Sequence, residues 1–186
     1  MLDSFIMPED RERLRQILKE NSVIIGKFKL SSGKESNYYI DARLTTLNPE
    51  GVYLVGKIFL DEILTNSEII AVGGPSFGAD PIVGAILALS HQGGHPIRGF
   101  LVRKEEKQHG MGKLIEGNLM SGDKVAIVED VATTGGSILK AIDAVEDAGA
   151  NVEKVLVIVD REEGARKVLE DIGYEFFSIF KIGELV

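Results

Sequence analysis

The sequence contains no cysteine, and this absence excludes disulfide bonds and thiolate metal sites. It also lacks a long apolar run, because the best candidate, residues 81–89, is far shorter than the roughly 20 residues of a membrane-spanning helix. The N-terminal residues 1–13 carry acidic side chains where a secretory signal has a basic region. Together these absences predict a soluble, cytoplasmic protein with no membrane partner.

An excess of positive charge is missing as well. The formal net charge is −8, which argues against broad nucleic-acid binding, since such binding usually needs a basic face. Neither a Walker phosphate loop nor the dinucleotide-binding pattern G-x-G-x-x-G occurs. The chain does have 186 residues, of which 44% are hydrophobic, and this is ample for one buried core. We therefore expect a single domain over residues 1–186 and no nucleic-acid partner.

Apolar strands alternate with amphipathic helices over most of the chain. The runs "VAIV" and "VLVIV" are continuously apolar, as is typical of strands covered on both faces in a parallel sheet. This alternation predicts an α/β fold, an open doubly wound parallel sheet of about five strands. The predicted strands are 68–72, 97–103, 124–130, 154–161 and 175–182. The predicted helices are 8–21, 49–64, 80–92, 135–150 and 162–173, and two further strands, 23–30 and 37–44, flank a turn near the N-terminus.

Four segments with unusual glycine or charge content follow the predicted strands. In open α/β sheets the ligand binds beyond the carboxyl ends of the strands, so these segments are expected to assemble the functional site. They are residues 73–80, 103–110, 129–136 and 160–164.

Glu129 and Asp130 are adjacent acids at the end of an apolar strand. Because adjacent carboxylates repel each other, we expect a partner that compensates them, either a cation or a sugar diol that donates hydrogen bonds. Among cations, magnesium fits well, since it is held by few carboxylates together with substrate oxygens and water.

The residues that follow the acid pair, 133–137, are threonine, glycine and serine. The glycines let backbone N–H groups converge, the hydroxyls add donors, and the start of a helix contributes unpaired N–H groups and a positive dipole end. This combination predicts a phosphate site, so that residues 129–137 would hold a sugar by its hydroxyls and by its phosphate. A plainer interpretation is a helix cap flanked by solvated acids.

Positive charge is concentrated in residues 103–110. The basic side chains are Arg103, Lys104, Lys107 and His109. Glycines follow them, which predicts a mobile lid near residues 103–117 that neutralises a departing anion and excludes water from the site. His109 can serve as an acid near neutral pH. The alternative is a solvated charge cluster that Glu105 and Glu106 partly cancel.

The stretch "VAIVEDVATTGGS", residues 125–137, resembles the phosphoribosyl-diphosphate signature of type I phosphoribosyltransferases. In that family the acid pair contacts the ribose hydroxyls and the magnesium-bound substrate, and the loop holds the 5′-phosphate. The resemblance therefore implies binding of 5-phosphoribosyl 1-diphosphate (PRPP) with Mg²⁺ as cofactor. The implied PRPP-binding residues of this stretch are Glu129, Asp130, Val131, Ala132, Thr133, Thr134, Gly135, Gly136 and Ser137.

A narrower resemblance covers nearly the whole chain. Residues 103–110 match every fixed position of the R-K-x-x-K-x-H-G lid of the orotate phosphoribosyltransferases. Residues 28–43, 73–82 and 157–164 are similar to that family's base-covering segment, pyrophosphate loop and strand ending in Asp-Arg. The resemblance implies transfer of ribose 5-phosphate from PRPP to orotate N1, which releases diphosphate and forms orotidine 5′-monophosphate on the route to UMP. It also implies that residues 1–48 form an N-terminal helix and hood over an α/β core of residues 49–186.

The same resemblance implies roles for single residues. Catalytic roles fall to Arg103, Lys104, Lys107, His109 and Asp130, and the first four of these also bind PRPP. Thr133 and Arg161 would contact orotate, because a guanidinium pairs bidentately with the carboxylate that other nucleobases lack. For Arg161 alone, an ion pair with Glu162 or Glu163 is the alternative. A homodimer is implied too, since the family's lid reaches into the neighbouring subunit's site.

Two positions depart from the family pattern, and three other functions stay open. Ser31 stands where some members have lysine, and Phe77-Gly78 stands where some have Tyr-Lys, so ligand contacts by residues 31 and 78 are not implied. The other functions are a phosphoribosyltransferase for another nucleobase, a non-catalytic nucleotide-sensing regulator on the same fold, and a generic α/β phosphate-binding module.

Overall fold

A computed structural model describes residues 8–29, 35–105 and 114–186. Its strands are β1 (Val23–Lys29), β2 (Glu35–Ile40), β3 (Ala71–Pro75), β4 (Arg98–Val102), β5 (Ile115–Gly117), β6 (Lys124–Ala132), β7 (Asn151–Asp160) and β8 (Glu175–Lys181). Its helices are α1 (Pro8–Asn21), α2 (Arg43–Thr46), α3 (Pro49–Leu64), α4 (Ala79–Gln92), α5 (Gly136–Asp147) and α6 (Ala165–Asp171). A short 3₁₀ turn, Ile182–Glu184, follows β8.

The central sheet has the strand order β5-β4-β3-β6-β7-β8. Five of these strands run parallel, and β5 pairs antiparallel with β4 at one edge. The α/β class and the doubly wound sheet are confirmed, and within the described residues the sheet has six strands where about five were expected. The sixth strand, Ile115–Gly117, has only three residues and lies within the segment that was predicted as lid.

Helices cover both faces of the sheet. One core cluster packs α1, α3 and α4 against one face, with Phe59, Ile82 and Ile86 fully buried in it. The second cluster packs α5 and α6 against the other face, around Ile138 and Ile142. The continuously apolar strands β6 and β7 supply residues to both clusters, as expected for strands buried on both faces.

Local sequence signals explain the helix ends. Helix α3 begins at Pro49, and the Asn48 side chain accepts hydrogen bonds from the N–H groups of Glu50 and Gly51, both at 3.0 Å. The predicted helices 8–21 and 49–64 are confirmed at both ends. Gly149 has the expected left-handed conformation after α5, with φ of 84°. Among the described residues, no helix combines the length and apolar character that a membrane crossing needs.

Strand β3 lies three residues later than its predicted start, and its glycines explain the shift. Gly73 and Gly74 were assigned to a loop, yet both are buried within the strand. A Cβ at Gly73 would lie 2.4 Å from the Phe100 ring, and one at Gly74 would lie 2.0 Å from the Val128 carbonyl oxygen. These glycines therefore permit close packing inside the sheet, and the chain leaves the sheet only after Pro75.

Candidate active site

A cavity of about 1080 Å³ opens where the sheet's connections change direction. From β3 the chain continues to β4 on one side, whereas β6 continues to β7 on the other. The pairing of β3 with β6 ends at Gly73 and Ile127, so the two strands part before their carboxyl ends. This gap is the expected ligand position in an open α/β sheet.

The acid pair lines this cavity and belongs to β6. Glu129 is 6% exposed, and its carboxylate accepts a hydrogen bond from the Ser137 hydroxyl at 3.2 Å. Burial, together with the nearby charge of Asp130, raises the pKa of Glu129 to about 8. Burial also raises the pKa of Asp130, while the charge of Arg43 opposes that rise. The two carboxylates are therefore costly to ionise together in the free protein, and a bound cation or a hydrogen-bond donor would favour their charged forms.

The turn between β3 and α4 touches both carboxylates through Gly78. A Cβ added at Gly78 would lie 2.2 Å from Glu129 Oε1 and 2.7 Å from Asp130 Oδ1. A larger residue here would therefore need both carboxylates to shift, although the backbone φ of −60° is open to any residue. The predicted pyrophosphate loop and the acid pair thus form one wall of the cavity.

The predicted phosphate turn connects β6 to α5. Gly135 adopts a left-handed conformation with φ of 86°, and α5 begins at the next residue. The carbonyl of Thr133 accepts from Ala165 N–H at 3.1 Å, which anchors the turn against α6. The first N–H groups of the twelve-residue helix α5 therefore start beside the acid pair, as anion binding requires.

Most of the predicted site residues of this turn line the cavity. They are Glu129, Asp130, Val131, Thr133, Gly136 and Ser137. Ala132, Thr134 and Gly135 belong to the same turn but are not among the lining residues. Ala132 is instead buried, and its carbonyl accepts from the Arg161 N–H at 2.9 Å.

Arg161 follows β7 and projects into the same cavity. Its side chain is 12% exposed and pairs with Glu163 at 2.8 Å, while its guanidinium lies 5.4 Å from the centre of the Tyr38 ring. Within the described part of the chain, its buried Nε has no hydrogen-bond partner. Arg161 therefore both forms the ion pair that the sequence offered as an alternative and lines the cavity. Its Nε–H group is a buried donor that a ligand could use.

The lid residues are only partly described. Arg103 lines the cavity and pairs with Glu116 of β5 at 2.9 Å, and the exposed Lys104 lines it too. Lys107 and His109 lie outside the described residues, so their predicted roles stay predictions. The same holds for residue 31.

Sequence reasoning missed two groups of lining residues. The first group, Asp41 and Arg43, lies just after β2, in the segment that resembled the base-covering hood. The predicted strand ran through residue 44, but the chain leaves β2 at Ile40 and forms α2 instead. The second group is Lys140, Asp143 and Asp147 on α5. Helical spacing from Gly136 would have identified these three, since they follow it at intervals of three or four residues.

The carboxylates of Glu129 and Asp130 suit a cation that is also coordinated by substrate oxygens and water. Among residues 8–29, 35–105 and 114–186, no group of three or more histidine, aspartate or glutamate side chains is arranged to hold a metal. The buried Glu129 and the half-buried Asp130, both with raised pKa values at an open cavity, match Mg²⁺, which takes one or two carboxylates and completes its shell with substrate oxygens and water.

Acids, a glycine turn and a helix N-terminus at a sheet switch point are the features of an α/β protein with a site for an anionic ligand. A family model described as a phosphoribosyl transferase domain matches residues 48–180. Orotate phosphoribosyltransferase of Aquifex aeolicus is 46% identical over 180 residues, covering 95% of this chain and 98% of its own. The chain therefore belongs to the orotate phosphoribosyltransferase family.

Solved structures agree with this assignment. Mycobacterium tuberculosis orotate phosphoribosyltransferase in complex with Fe(III) dicitrate is 40% identical with a TM-score of 0.83. The same enzyme in complex with PRPP is 36% identical with a TM-score of 0.78. Each comparison covers 95% of this chain and 98% of that structure's chain.

Proposed function

We propose that this protein is an orotate phosphoribosyltransferase of UMP biosynthesis. It transfers ribose 5-phosphate from PRPP to orotate: the bond from C1 to the diphosphate oxygen breaks, and a bond from C1 to orotate N1 forms. The observation that carries this proposal is that Glu129, Asp130, the turn before α5 and Arg161 line one and the same cavity. It is supported by relatives of that name that match nearly the whole chain.

Residues of β6 and the following turn hold the ribose 5-phosphate. Glu129 and Asp130 accept hydrogen bonds from the ribose hydroxyls, and residues 131–137 surround the 5′-phosphate at the start of α5. The proposal is supported by the position of both carboxylates in the cavity wall and by the left-handed Gly135 that opens the helix.

Mg²⁺ is the proposed cofactor, and Glu129 and Asp130 are the residues that would hold its PRPP complex. The bound ion would supply positive charge to the diphosphate group. The contribution of the chain itself is to keep these two carboxylates together beside Gly78 at the cavity.

Catalysis then depends on positioning and charge. The transition state has oxocarbenium character, so the protein aligns the two reactants and stabilises the leaving diphosphate. We assign Arg103, Lys104, Lys107 and His109 to the diphosphate, partly across the interface of a homodimer. Arg161 pairs with the orotate carboxylate, beside Thr133. We also propose a cytoplasmic location for the protein.

The decisive experiment measures loss of orotate absorbance with purified protein, Mg²⁺ and PRPP, with hypoxanthine, adenine and uracil in parallel. We expect orotate consumption with equal release of pyrophosphate, and strongly reduced turnover in Asp130→Asn. Turnover of another base alone would contradict the roles of Arg161 and the lid. A protein that binds nucleotide but turns over none of these bases would favour the alternative of a non-catalytic nucleotide-sensing regulator.

A further inference from the structure

The pyrophosphate loop of this chain contributes no positive side chain to the cavity. Its tip is Phe77-Gly78, and the Glu129 and Asp130 carboxylates occupy the space beside Gly78. Any Cβ at this position would collide with Glu129 and Asp130, so a lysine could enter only if the acid pair moved. A cation for a ligand at this wall must therefore come from another element.

Arg43 is placed to supply that charge. It lies at the start of α2, and it lines the same cavity as Phe77, Gly78 and Asp130. Its charge is felt at the acid pair, since it opposes the rise in the pKa of Asp130. Four other basic residues line the cavity from different elements. Arg103 pairs with Glu116 of β5, and the exposed Lys104 follows it after β4. Arg161 lies over Tyr38, and Lys140 belongs to α5.

Asp41 holds the Arg43 side chain in a fixed orientation. Nε of Arg43 donates to Asp41 Oδ1 at 2.8 Å, and Nη2 donates to Asp41 Oδ2 at 2.8 Å. The backbone N–H of Arg43 also donates to Oδ1 at 3.2 Å. This two-point pairing uses one edge of the guanidinium, and the N–H groups of Nη1 lie outside it. The side chain is 52% exposed, so a ligand can reach it.

From these contacts we infer that Arg43 binds the diphosphate group of the substrate and supplies the cation that the Phe77-Gly78 loop cannot. Asp41 is its positioning residue. The inference rests on the proposed function and adds a residue of the hood to the diphosphate site.

The test compares Arg43→Gln with Arg13→Gln in direct binding experiments. Arg13 is a matched control: it also pairs with a carboxylate through Nε and Nη2, that of Glu50, and its side chain is 46% exposed, but it does not line the cavity. The probes are pyrophosphate with Mg²⁺, ribose 5-phosphate and orotate, each titrated into the purified protein by calorimetry.

We expect Arg43→Gln to weaken pyrophosphate binding by about 10- to 100-fold, the usual effect of losing one charge-assisted hydrogen bond. Binding of ribose 5-phosphate and orotate should be unchanged, and Arg13→Gln should match the wild type. Unchanged pyrophosphate binding, or an equal loss for ribose 5-phosphate or orotate, would overturn the inference. A wild-type protein that binds pyrophosphate but consumes no orotate would contradict only the proposed function.

Discussion

At the residue scale, the side chains proposed to meet the ligand already have partners in the free protein. Arg161 pairs with Glu163 and lies over Tyr38, and Glu129 accepts a hydrogen bond from Ser137. These partners fix the orientation of each group before the ligand arrives, which lowers the entropy lost on binding. The orotate carboxylate would then compete with Glu163 or share the guanidinium with it.

Arg161→Ala should weaken orotate binding by about 10- to 100-fold and leave uracil binding almost unchanged. The physical reason is that orotate carries a carboxylate that the guanidinium can pair with, and uracil does not. Competition assays with both bases against orotate turnover measure the difference. Arg15→Ala serves as control, since Arg15 pairs with Glu12 on the surface of α1. Equal weakening of both bases would remove Arg161 from the carboxylate site.

The element scale shows which parts of the site were accessible to sequence reasoning. The acid pair and the phosphate turn were predictable because a continuous apolar strand, glycines and a helix start lie next to each other in the chain. Strand β5 was missed because three residues are too few to show a periodic pattern. It also pairs antiparallel with β4, whereas the prediction was of a parallel sheet. Arg43 was missed because the sequence alone does not show that the residues after β2 line the same cavity as the acid pair.

Gly78 should stabilise the protein, because it lets the β3–α4 turn pack against the carboxylates of Glu129 and Asp130. Gly78→Ala would place a methyl group against Glu129 and Asp130, so we expect a loss of about 1–3 kcal/mol in the free energy of unfolding and weaker PRPP binding. Gly84→Ala in α4 is the control, because nothing lies within 4 Å of its added Cβ. It should gain about 0.5–1 kcal/mol. Denaturant unfolding and PRPP titration of both variants measure this, and a Gly78→Ala protein that matches wild type would refute the close contact.

The lid can be tested as an element through Lys107. Lys107→Ala should lower turnover by about 10²–10³, the usual cost of one lost charge contact in a transition state, with orotate affinity and unfolding unchanged. Lys19→Ala on the exposed face of α1 provides a control for a lost surface charge. Steady-state and single-turnover rates decide the matter, and near-wild-type turnover would contradict the lid assignment.

At the scale of the whole molecule, the site lies where the two halves of the fold meet. The core cluster with α3 and α4 supports the Gly78 turn, and the cluster with α5 and α6 supports the phosphate turn. Glu129 lies on the strand between them, and both clusters include residues of that strand. The charge state of this one buried carboxyl therefore affects the stability of the entire free protein.

The free energy of unfolding of the ligand-free protein should fall as the pH rises, because Glu129 loses its proton. Burial raises its pKa to about 8 in the folded state, from an ordinary value of 4.5. Between these values the folded protein keeps a proton that the unfolded chain has lost. The stabilisation from this proton is complete below the unfolded pKa and is lost as the pH rises through the folded pKa. Glu129→Gln, which cannot ionise, should escape this loss.

Unfolding by urea at about pH 5 and about pH 9 measures the effect as a difference between wild type and Glu129→Gln. The two proteins should be similar at the lower pH, and Glu129→Gln should be the more stable at the higher pH. Glu12→Gln is a control of opposite sign, because the hydrogen bond from Arg15 lowers the pKa of Glu12, and it should gain nothing at high pH.

Binding of PRPP with Mg²⁺ near pH 7 should release a proton from the wild type, because a cation favours the ionised carboxylate. Calorimetry in buffers of different ionisation enthalpy measures this release. Stability curves of wild type and Glu129→Gln that run parallel from pH 5 to 9 would show that this carboxyl ionises normally, and the acid pair would then need no cation to coexist.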